Sequence, residues 1–406
     1  MNIFIIPSWF PSKTDPFNGI FILEQTLWMA EHHPDINFGI GTWGQNDEDH
    51  LLYIHEPFRS LRKAFNKKKE YEKKLRENVF LFFQPAFSWS SKINKGNIGQ
   101  KIKACRMCLE KFERIVGKAD VIHAHVSYPG GYIARQISHG SGIPYLITEH
   151  MAPFPQIHHV SNGKLKKDVK HAIEDAHLLL AVSRYTLEEM KVAGVKKDIH
   201  ILPNYHQRSR DHMRPVKKRE KFTYITVCGL HVNKGLPELL EAIRIAVSSD
   251  PGLNFVIIGD GPHRSLLEER IDQLQIGAFV ELTGSLSREQ TLELYDEVHA
   301  HILTSHYESF GVVYVEAMAA GLPSIANPVG GPLDILDDTT GVFVESLSPQ
   351  DISGKILWLK QNIHIFRKDE IRRVFEARFS AKKVTHDLGI AYRRLAAANR
   401  NYRINA

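Results

Sequence analysis

The chain has 406 residues, of which 43% are hydrophobic and 24% are charged, and its net charge is +6. This length suits two domains of roughly 200 residues, and the composition is that of an average soluble globular protein. Its three cysteines argue against an oxidising compartment, and no apolar run approaches the roughly 18 residues of a membrane span. The start of the chain has too short an apolar run for a signal peptide, so we expect a cytoplasmic protein.

Short apolar runs alternate with longer amphipathic stretches along the first half of the chain. The predicted strands there are NIFIIP, FGIGTW, DVIHAHV (120–126), PYLITEH (144–150) and LLLAVS (178–183). IFILEQTLWMAEH predicts a helix between the first two strands, and a long basic insertion follows the second. This alternation is typical of βαβ units in a parallel sheet.

The second half shows the same alternation more clearly. Its predicted strands are FTYITVC (222–228), NFVIIG (254–259), FVELTG (279–284), HAHILTS (299–305) and PSIAN (323–327). Its predicted helices are LPELLEAIRIAV, 264–274, REQTLELYDEV and 311–320. We therefore predict an α/β protein with two Rossmann-like, doubly wound domains that face each other across a cleft.

The predicted domain limits follow from a polar, nonperiodic segment at 206–221, which is the best linker candidate. An acceptor-binding domain would span 1–205 and a nucleotide-binding domain 206–380. We expect a last helix over 381–406 to pack back on the first domain.

A basic run at 59–76 contains nine Lys or Arg against two Glu. It is either a solvated helix or loop or a surface that meets anionic lipid headgroups at the inner face of the cell membrane. We find no nucleic-acid-binding signature beside it. Cys105 and Cys108 lie within an amphipathic helical pattern, so we interpret them as structural thiols rather than as a redox or zinc pair.

The segment ESFGVVYVE follows a predicted strand that ends at Ser305 and opens a helix near Gly311. Ligands of open α/β sheets bind at the carboxyl ends of strands, and a helix start attracts anions. Glu308 and Glu316 are therefore candidates for holding sugar and ribose hydroxyls, and Gly311 would let a phosphate approach the backbone.

Other turns at strand ends point to the same chemistry. Lys234, on a glycine-flanked turn, suits a diphosphate leaving group. Gly259 and Gly261 in GDGP, and the pair Gly330-Gly331, are either ordinary turns or places where backbone N–H groups meet a nucleotide.

In the first half, Gly19 in the loop PFNGIF would let that loop cover phosphates, and His150 ends a strand at the carboxyl edge of the sheet. His123 and His125 share one strand face, but no suitably spaced third ligand is evident, so we predict no metal site. The acidic triplet at 47–49 reads as solvated acid.

The motifs, taken in order, resemble those of a family 4 retaining glycosyltransferase of the GT-B fold, and the likeness covers nearly the whole chain. They are NGIF, IHAH, TEH, AVSRY, ILPN, GLxxxKG, IIGDGP, TG, the Glu-seven-Glu segment, EAMAAGLP and VGG. The resemblance implies a hexosyltransferase that uses a UDP- or GDP-sugar, needs no cofactor or metal, and acts on a glycan or lipid-linked glycan in bacterial surface polysaccharide biosynthesis.

The resemblance also implies roles for individual residues. Catalysis would involve Glu308, His150 and Lys234. The donor-binding set would be Gly19, Lys234, Gly259, Gly261, Phe310, Gly311 and Glu316. The leaving diphosphate would be stabilised by Lys234 and the helix start, and the sugar would be transferred with retention of configuration.

Two departures from the family pattern stand out. Gly229 occupies the position of a usual arginine, so one cation of the phosphate clamp is lost or replaced by Arg184 or His231. Asp334 replaces a usual Glu. The alternatives are an epimerase of the same fold, an inverting transferase with His150 or Glu149 as base, and a noncatalytic nucleotide-sugar-binding protein.

Overall fold

The structure is a computed structural model. It describes residues 1–12, 15, 18–45, 47–53, 56, 58, 60, 62–63, 69–89, 94–151, 153–207 and 217–405. The chain divides into two compact units. Unit 1 comprises Met1–Val182, Thr186–Leu202 and Thr385–Ala406, and unit 2 comprises Ser183–Tyr185 and Pro203–Val384. The domain limits at 205 and 380 stay predictions.

Unit 1 is built on an eight-stranded sheet and a separate two-stranded hairpin. Its strands are β1 (Asn2–Pro7), β2 (Asn37–Thr42), β3 (Tyr71–Arg76), β4 (Val79–Phe83), β5 (Val121–His125), β6 (Tyr145–Glu149), β7 (Val160–Ser161), β8 (Lys164–Leu165), β9 (Leu178–Ala181) and β10 (His200–Ile201). The sheet order is β10-β9-β6-β5-β1-β2-β4-β3, and β7 pairs with β8. All neighbours in the large sheet are parallel except β3 and β4.

Helices flank this sheet and bury their apolar faces against it. They are α1 (Ile20–His32), α2 (Asn94–Val116), α3 (Tyr132–Ser141), α4 (Lys167–Glu174) and α5 (Arg184–Val192). Phe112 of α2 packs against Phe4, Phe80 and Phe82 of the strands, with ring centroids 5.9–6.4 Å apart. Short helical turns span Glu48–His50, Ser127–Gly131 and Ile157–His159.

Unit 2 is a second parallel sheet with flanking helices. Its strands are β11 (Phe222–Val227), β12 (Leu253–Ile258), β13 (Val280–Gly284), β14 (Ala300–Leu303), β15 (Ser324–Ala326) and β16 (Gly341–Phe343), in the order β13-β12-β11-β14-β15-β16. Its helices are α6 (Leu236–Ser249), α7 (Arg264–Gln273), α8 (Arg288–Glu297), α9 (Val312–Ala320), α10 (Pro332–Ile335), α11 (Pro349–Gln361) and α12 (Lys368–Arg378), and α13 (Ala381–Asn405) ends the described chain. Helical turns span Val232–Lys234 and Ile363–Ile365.

The strand order of unit 2 reverses between β11 and β14, which are adjacent and parallel. Such a switch point opens a crevice at the carboxyl ends of the two strands, because their connections leave toward opposite faces of the sheet. This is the doubly wound α/β architecture that the sequence predicts.

The basic run at 59–76 is not simply a helix or loop, as the sequence suggests, because 71–76 form the edge strand β3. Its partner β4 supplies a buried apolar face that a charged strand can cover. Residues 59, 61 and 64–68 of the run lie outside the described part of the chain.

The interpretation of Cys105 and Cys108 as structural thiols is confirmed. Both are unpaired and buried in the core of unit 1. Burial raises the pKa of each, which keeps the thiols protonated and unreactive. Across the described residues, every helix is too short or too polar to cross a membrane.

Candidate functional site

The switch point of unit 2 brings together two segments that the sequence singles out. After β11 the chain turns through Val232–Lys234 and enters α6, and Gly235 at that entry has φ 66°. A Cβ at Gly235 would lie 2.1 Å from the carbonyl oxygen of Thr304, just after β14. Glycine is therefore required for the lysine turn to pack against the end of the neighbouring strand.

Lys234 and Glu308 form an ion pair at this point. The Lys234 Nζ lies 2.9 Å from Glu308 Oε2, and the two side chains are 20% and 13% exposed. Burial raises the pKa of the neighbouring Cys228 thiol to about 12, while the Lys234 charge lowers it and the Glu308 charge raises it further. A cation and an anion thus lie at the carboxyl edge of the sheet with restricted access to water.

The start of α9 lies beside this pair. Gly311 precedes the helix with φ 88°, and a Cβ there would lie 2.6 Å from the Tyr314 ring and 3.2 Å from Glu308 Cγ. Phe310 is buried and packs edge-on against Phe379, with ring centroids 6.1 Å apart. The backbone at 310–311 is therefore fixed at the positive end of a helix, where an anionic oxygen would be stabilised.

Glu316 lies further along α9 and has two neighbours that sequence reasoning missed. The Tyr295 hydroxyl donates to Glu316 Oε2 at 3.4 Å, and His206 Nε2 is 3.9 Å from Glu316 Oε1. His206 is buried and bridges to Ser380. No local sequence motif predicts either contact, because both join residues that are far apart in the chain.

The glycine turns have structural roles that their sequence alone leaves open. A Cβ at Gly259 would lie 1.8 Å from the carbonyl oxygen of Cys228, and the Gly259 N–H donates to Gly284. Gly261 packs on Leu230 in the same way. Close packing of two strand ends accounts for these glycines, so their contact with a donor stays a prediction.

The pair Gly330-Gly331 also packs on the loop after β14. A Cβ at Gly330 would lie 1.7 Å from the carbonyl oxygen of Glu308, and the Gly331 N–H donates to that oxygen at 3.1 Å. The Gly331 N–H therefore already has an acceptor within the protein. The pair thus holds the backbone of Glu308 in place.

The two residues predicted to replace the missing arginine have different neighbours. Arg184 pairs with Asp334, and its own backbone N–H donates to the same carboxylate. The ring of His231 lies beside Gly229, where an added Cβ would be 3.0 Å from it. His231 therefore fills the space next to the arginine position.

In unit 1, His150 lies near the start of α1. Its ring is 4.8 Å from the Phe21 ring, two residues after Gly19. A Cβ at Gly19 would lie 2.4 Å from the carbonyl oxygen of Trp9, so this loop is closely packed. His150 Nε2 is 3.0 Å from His125 Nδ1, and their rings stack.

His123 and His125 share one face of β5, as predicted, and their rings stack at 4.2 Å. Burial lowers the pKa of His123 to about 3 and that of His125 well below its ordinary range, so both rings are neutral. His123 is hydrogen-bonded to Tyr392 at 2.7 Å and to Thr148 at 2.8 Å. Among the described residues, no group of three or more His, Cys, Asp or Glu is arranged to hold a metal.

Glu149, an alternative base, is fully buried. Its Oε2 accepts from the N–H and hydroxyl of Ser127, and its Oε1 accepts from the N–H groups of His150 and Met151. Burial raises its pKa, and these hydrogen bonds oppose the rise. The carboxylate thus fixes the loop after β6 in place.

The interpretation of 47–49 as solvated acid is wrong for its first residue. Asp47 is buried, accepts from the Asp49 N–H at 3.1 Å, and lies 3.5 Å from His50 Nδ1. Glu48 and Asp49 are exposed. The burial of Asp47 depends on packing against residues distant in sequence, so it cannot be predicted from the acidic composition of the triplet.

Comparison with known proteins identifies the family. A family model described as Glycosyltransferase Family 4 matches residues 50–205, and one described as Glycosyl transferases group 1 matches 207–399. The Bacillus subtilis protein named "Putative teichuronic acid biosynthesis glycosyltransferase TuaC" is 27% identical over 94% of this chain and 96% of its own. The alpha-monoglucosyldiacylglycerol synthase of Acholeplasma laidlawii is 23% identical over 56% of this chain and 61% of its own.

Solved structures match the whole fold. The sucrose-phosphate synthase of Thermosynechococcus elongatus has a TM-score of 0.72 and 16% identity, over 98% of this chain and 99% of that chain. Anabaena HepE in complex with UDP has a TM-score of 0.67 and 16% identity, over 96% of this chain and 99% of that chain.

The two Rossmann-like units and the family models define a glycosyltransferase of the GT-B fold. The chain belongs to glycosyltransferase family 4. It is an enzyme that transfers sugars.

Proposed function

We propose that the protein is a retaining, metal-independent hexosyltransferase that uses a UDP- or GDP-sugar and adds its sugar to a glycan or lipid-linked glycan. One observation carries the proposal: the Lys234–Glu308 pair, at 2.9 Å, lies beside the start of α9 at the switch point of unit 2. A cation and a helix start are the groups that a leaving diphosphate requires.

The charges suggest how the reaction proceeds. Breaking the bond between the sugar and the diphosphate leaves negative charge on the phosphate oxygens and positive character on the sugar ring. Lys234 and the N–H groups at 310–311 would stabilise the first, and the Glu308 carboxylate lies where it would accept hydrogen bonds from the sugar hydroxyls. In this site the lysine and the helix start take the place of a divalent metal.

The environment of Glu149 favours retention over inversion. An inverting enzyme needs a general base near the acceptor, and the oxygens of Glu149 already accept four hydrogen bonds. We propose instead that the acceptor attacks from the face that the phosphate leaves. A phosphate oxygen of the departing diphosphate would then take the acceptor proton, so that no protein base is needed.

The names of the relatives support a surface-polymer or lipid-linked acceptor. TuaC is named for teichuronic acid biosynthesis, and the Acholeplasma enzyme is named as a diacylglycerol glycolipid synthase. We propose that unit 1 binds the acceptor and that the basic run at 59–76 contacts anionic lipid as a peripheral membrane surface.

The test is turnover of a donor panel, with UDP- and GDP-hexoses supplied separately and nucleotide release measured. Early proton NMR spectra of the sugar released to water, taken before the anomers equilibrate, report the configuration at the reacting carbon. We expect release from one nucleotide class and an initial α-anomer from an α-linked donor. Release from no donor would refute the proposed UDP- or GDP-sugar donor, and an initial β-anomer would refute retention.

A further inference from the structure

Unit 1 contains a cavity of about 610 Å³ near the carboxyl ends of β1 and β2. This volume lies within the usual range for small-molecule sites. Its wall includes Phe10, Gln45, Asp47, Lys69, Tyr71 and Phe83. Its lining residues all belong to unit 1, and neither His150 nor Gly19 is among them.

One wall of the cavity is aromatic. Tyr71 and Phe83 are directly opposite each other on β3 and β4, and their rings stack at 4.9 Å with an interplanar angle of 17°. Phe83 is buried, whereas Tyr71 is 48% exposed. The C–H face of a sugar packs well on such a surface, because the electron-rich face of an aromatic ring attracts polarised C–H groups.

The cavity lining also offers fixed polar groups. Gln45 is buried, its Oε1 accepts from the Trp43 N–H at 2.9 Å, and its Nε2 donates to the Pro7 carbonyl at 3.0 Å. An amide oxygen has a second lone pair and an amide nitrogen a second proton, so Gln45 keeps hydrogen-bonding capacity for a ligand. The buried Asp47 carboxylate is a further acceptor for hydroxyls.

Two lysines lie on the cavity side, one on the edge strand and one just before it. Lys69 lines the cavity, and strand alternation puts Lys73 on the same face as Tyr71. Within the described part of the chain, neither lysine forms an ion pair.

Other cations of the same strand are neutralised. Lys74, next along β3 and on the opposite face, pairs with Glu77 at 2.7 Å. Arg76 pairs with Glu31 at 3.1 Å. Among residues 69–76, the lysines without a carboxylate partner are thus Lys69 and Lys73, which can hold an anionic group beside the hydroxyl acceptors Gln45 and Asp47.

We propose that this cavity binds a saccharide that carries a carboxylate or phosphate, and that it is the acceptor subsite of the enzyme. The aromatic wall holds the sugar ring, Gln45 and Asp47 hold hydroxyls, and Lys69 and Lys73 hold the anionic group. The acceptor role rests on the proposed function, whereas the binding chemistry does not.

The experiment is a ligand-observed NMR titration at low salt with methyl glucoside, methyl glucuronide and glucose 6-phosphate. The variants are Lys69→Gln with Lys73→Gln, Tyr71→Ala, and Lys74→Gln as the matched control from the same strand. We expect one or both anionic probes to bind wild type about tenfold more tightly than methyl glucoside, since two exposed charge contacts contribute up to ~1 kcal/mol each. The carboxylate and phosphate probes distinguish the two sources of negative charge.

The double lysine variant should lose this preference and keep its affinity for methyl glucoside, while Tyr71→Ala weakens binding of all probes and Lys74→Gln changes none. Thermal unfolding of each variant shows that it is folded. Equal binding of charged and neutral probes, or an equal loss in Lys74→Gln, would overturn the proposal. Donor turnover in the same samples separates the two proposals. Turnover without probe binding in the cavity refutes only this one, and probe binding without turnover refutes only the proposed donor.

Discussion

Replacing Lys234 with Ala tests the proposed role of the ion pair in unit 2. The change removes the cation 2.9 Å from Glu308 and leaves that carboxylate only 13% exposed. Because the pair is partly buried, we expect its loss to cost about 1 kcal/mol of stability, between the values for exposed and buried pairs. The effect on turnover should be larger. A group facing a developing charge contributes about 3 kcal/mol, so turnover should fall at least about a hundredfold.

The matched control is Lys360→Ala. Lys360 forms a comparably accessible ion pair with Asp250, the two side chains being 26% and 32% exposed. Its loss should change stability by a similar or smaller amount and leave turnover unchanged. Glu308→Ala should also lower turnover about a hundredfold, and the double variant with Lys234→Ala should lose less than the product of the single effects, because both act at one centre.

The assay is nucleotide release under saturating donor, with thermal unfolding of each variant alongside. Near-normal turnover in both Lys234→Ala and Glu308→Ala would refute the assignment of the site. An equal loss of turnover in Lys360→Ala would show that the effect is general destabilisation.

Three further outcomes follow from the same structure. Turnover should survive EDTA, since Lys234 and the start of α9 supply the positive charge; full loss that magnesium or manganese restores would contradict this. Wild type should co-sediment with anionic liposomes at low salt and dissociate from them at 1 M salt, where the Debye length falls to roughly 3 Å. Fewer liposomes should be bound by a variant with serine in place of Lys67, Lys68, Lys69, Lys73 and Lys74. Equal binding by the variant would show that the basic run is only a solvated surface. Burial lowers the pKa of His301 from 6.5 to about 3. Between these two pH values the unfolded chain takes up a proton at this residue that the folded chain does not. Stability that is present above pH 6.5 is therefore lost as the pH falls toward 3. Between pH 7 and pH 5 this residue should cost about 2 kcal/mol, and His301→Gln should reduce the drop in urea midpoint; an identical drop would contradict the burial argument.

The core of both sheets was predictable because buried parallel strands are continuous apolar runs. Strand β12 was predicted for this reason, whereas helix α6 was predicted from apolar residues at three- and four-residue spacing. The edge strand β3 was missed, because YEKKLR carries the charge of an exposed edge and has no apolar alternation. Short edge strands such as β10 and β16 have too few residues to give a periodic signal.

The site was predictable only in part. Lys234 and Glu308 follow strands that are adjacent in the sheet, so a strand-end rule finds both. The contacts of Glu316 with Tyr295 and His206, and the burial of Asp47, join residues distant in sequence and depend on the packed fold. The glycines at 259 and 330 are required by close contact between backbones, which a turn signal cannot distinguish from nucleotide binding.

The most direct test of the central claim is calorimetric binding of UDP and GDP to wild type and to Lys234→Ala, without acceptor or metal. If the cation at the switch point holds the diphosphate of the donor, one of the two nucleotides should bind wild type, and the variant should bind it at least about tenfold more weakly, as expected for loss of a charge-assisted contact of about 1.5 kcal/mol. Unchanged affinity in the folded variant, or binding of neither nucleotide, would contradict the account.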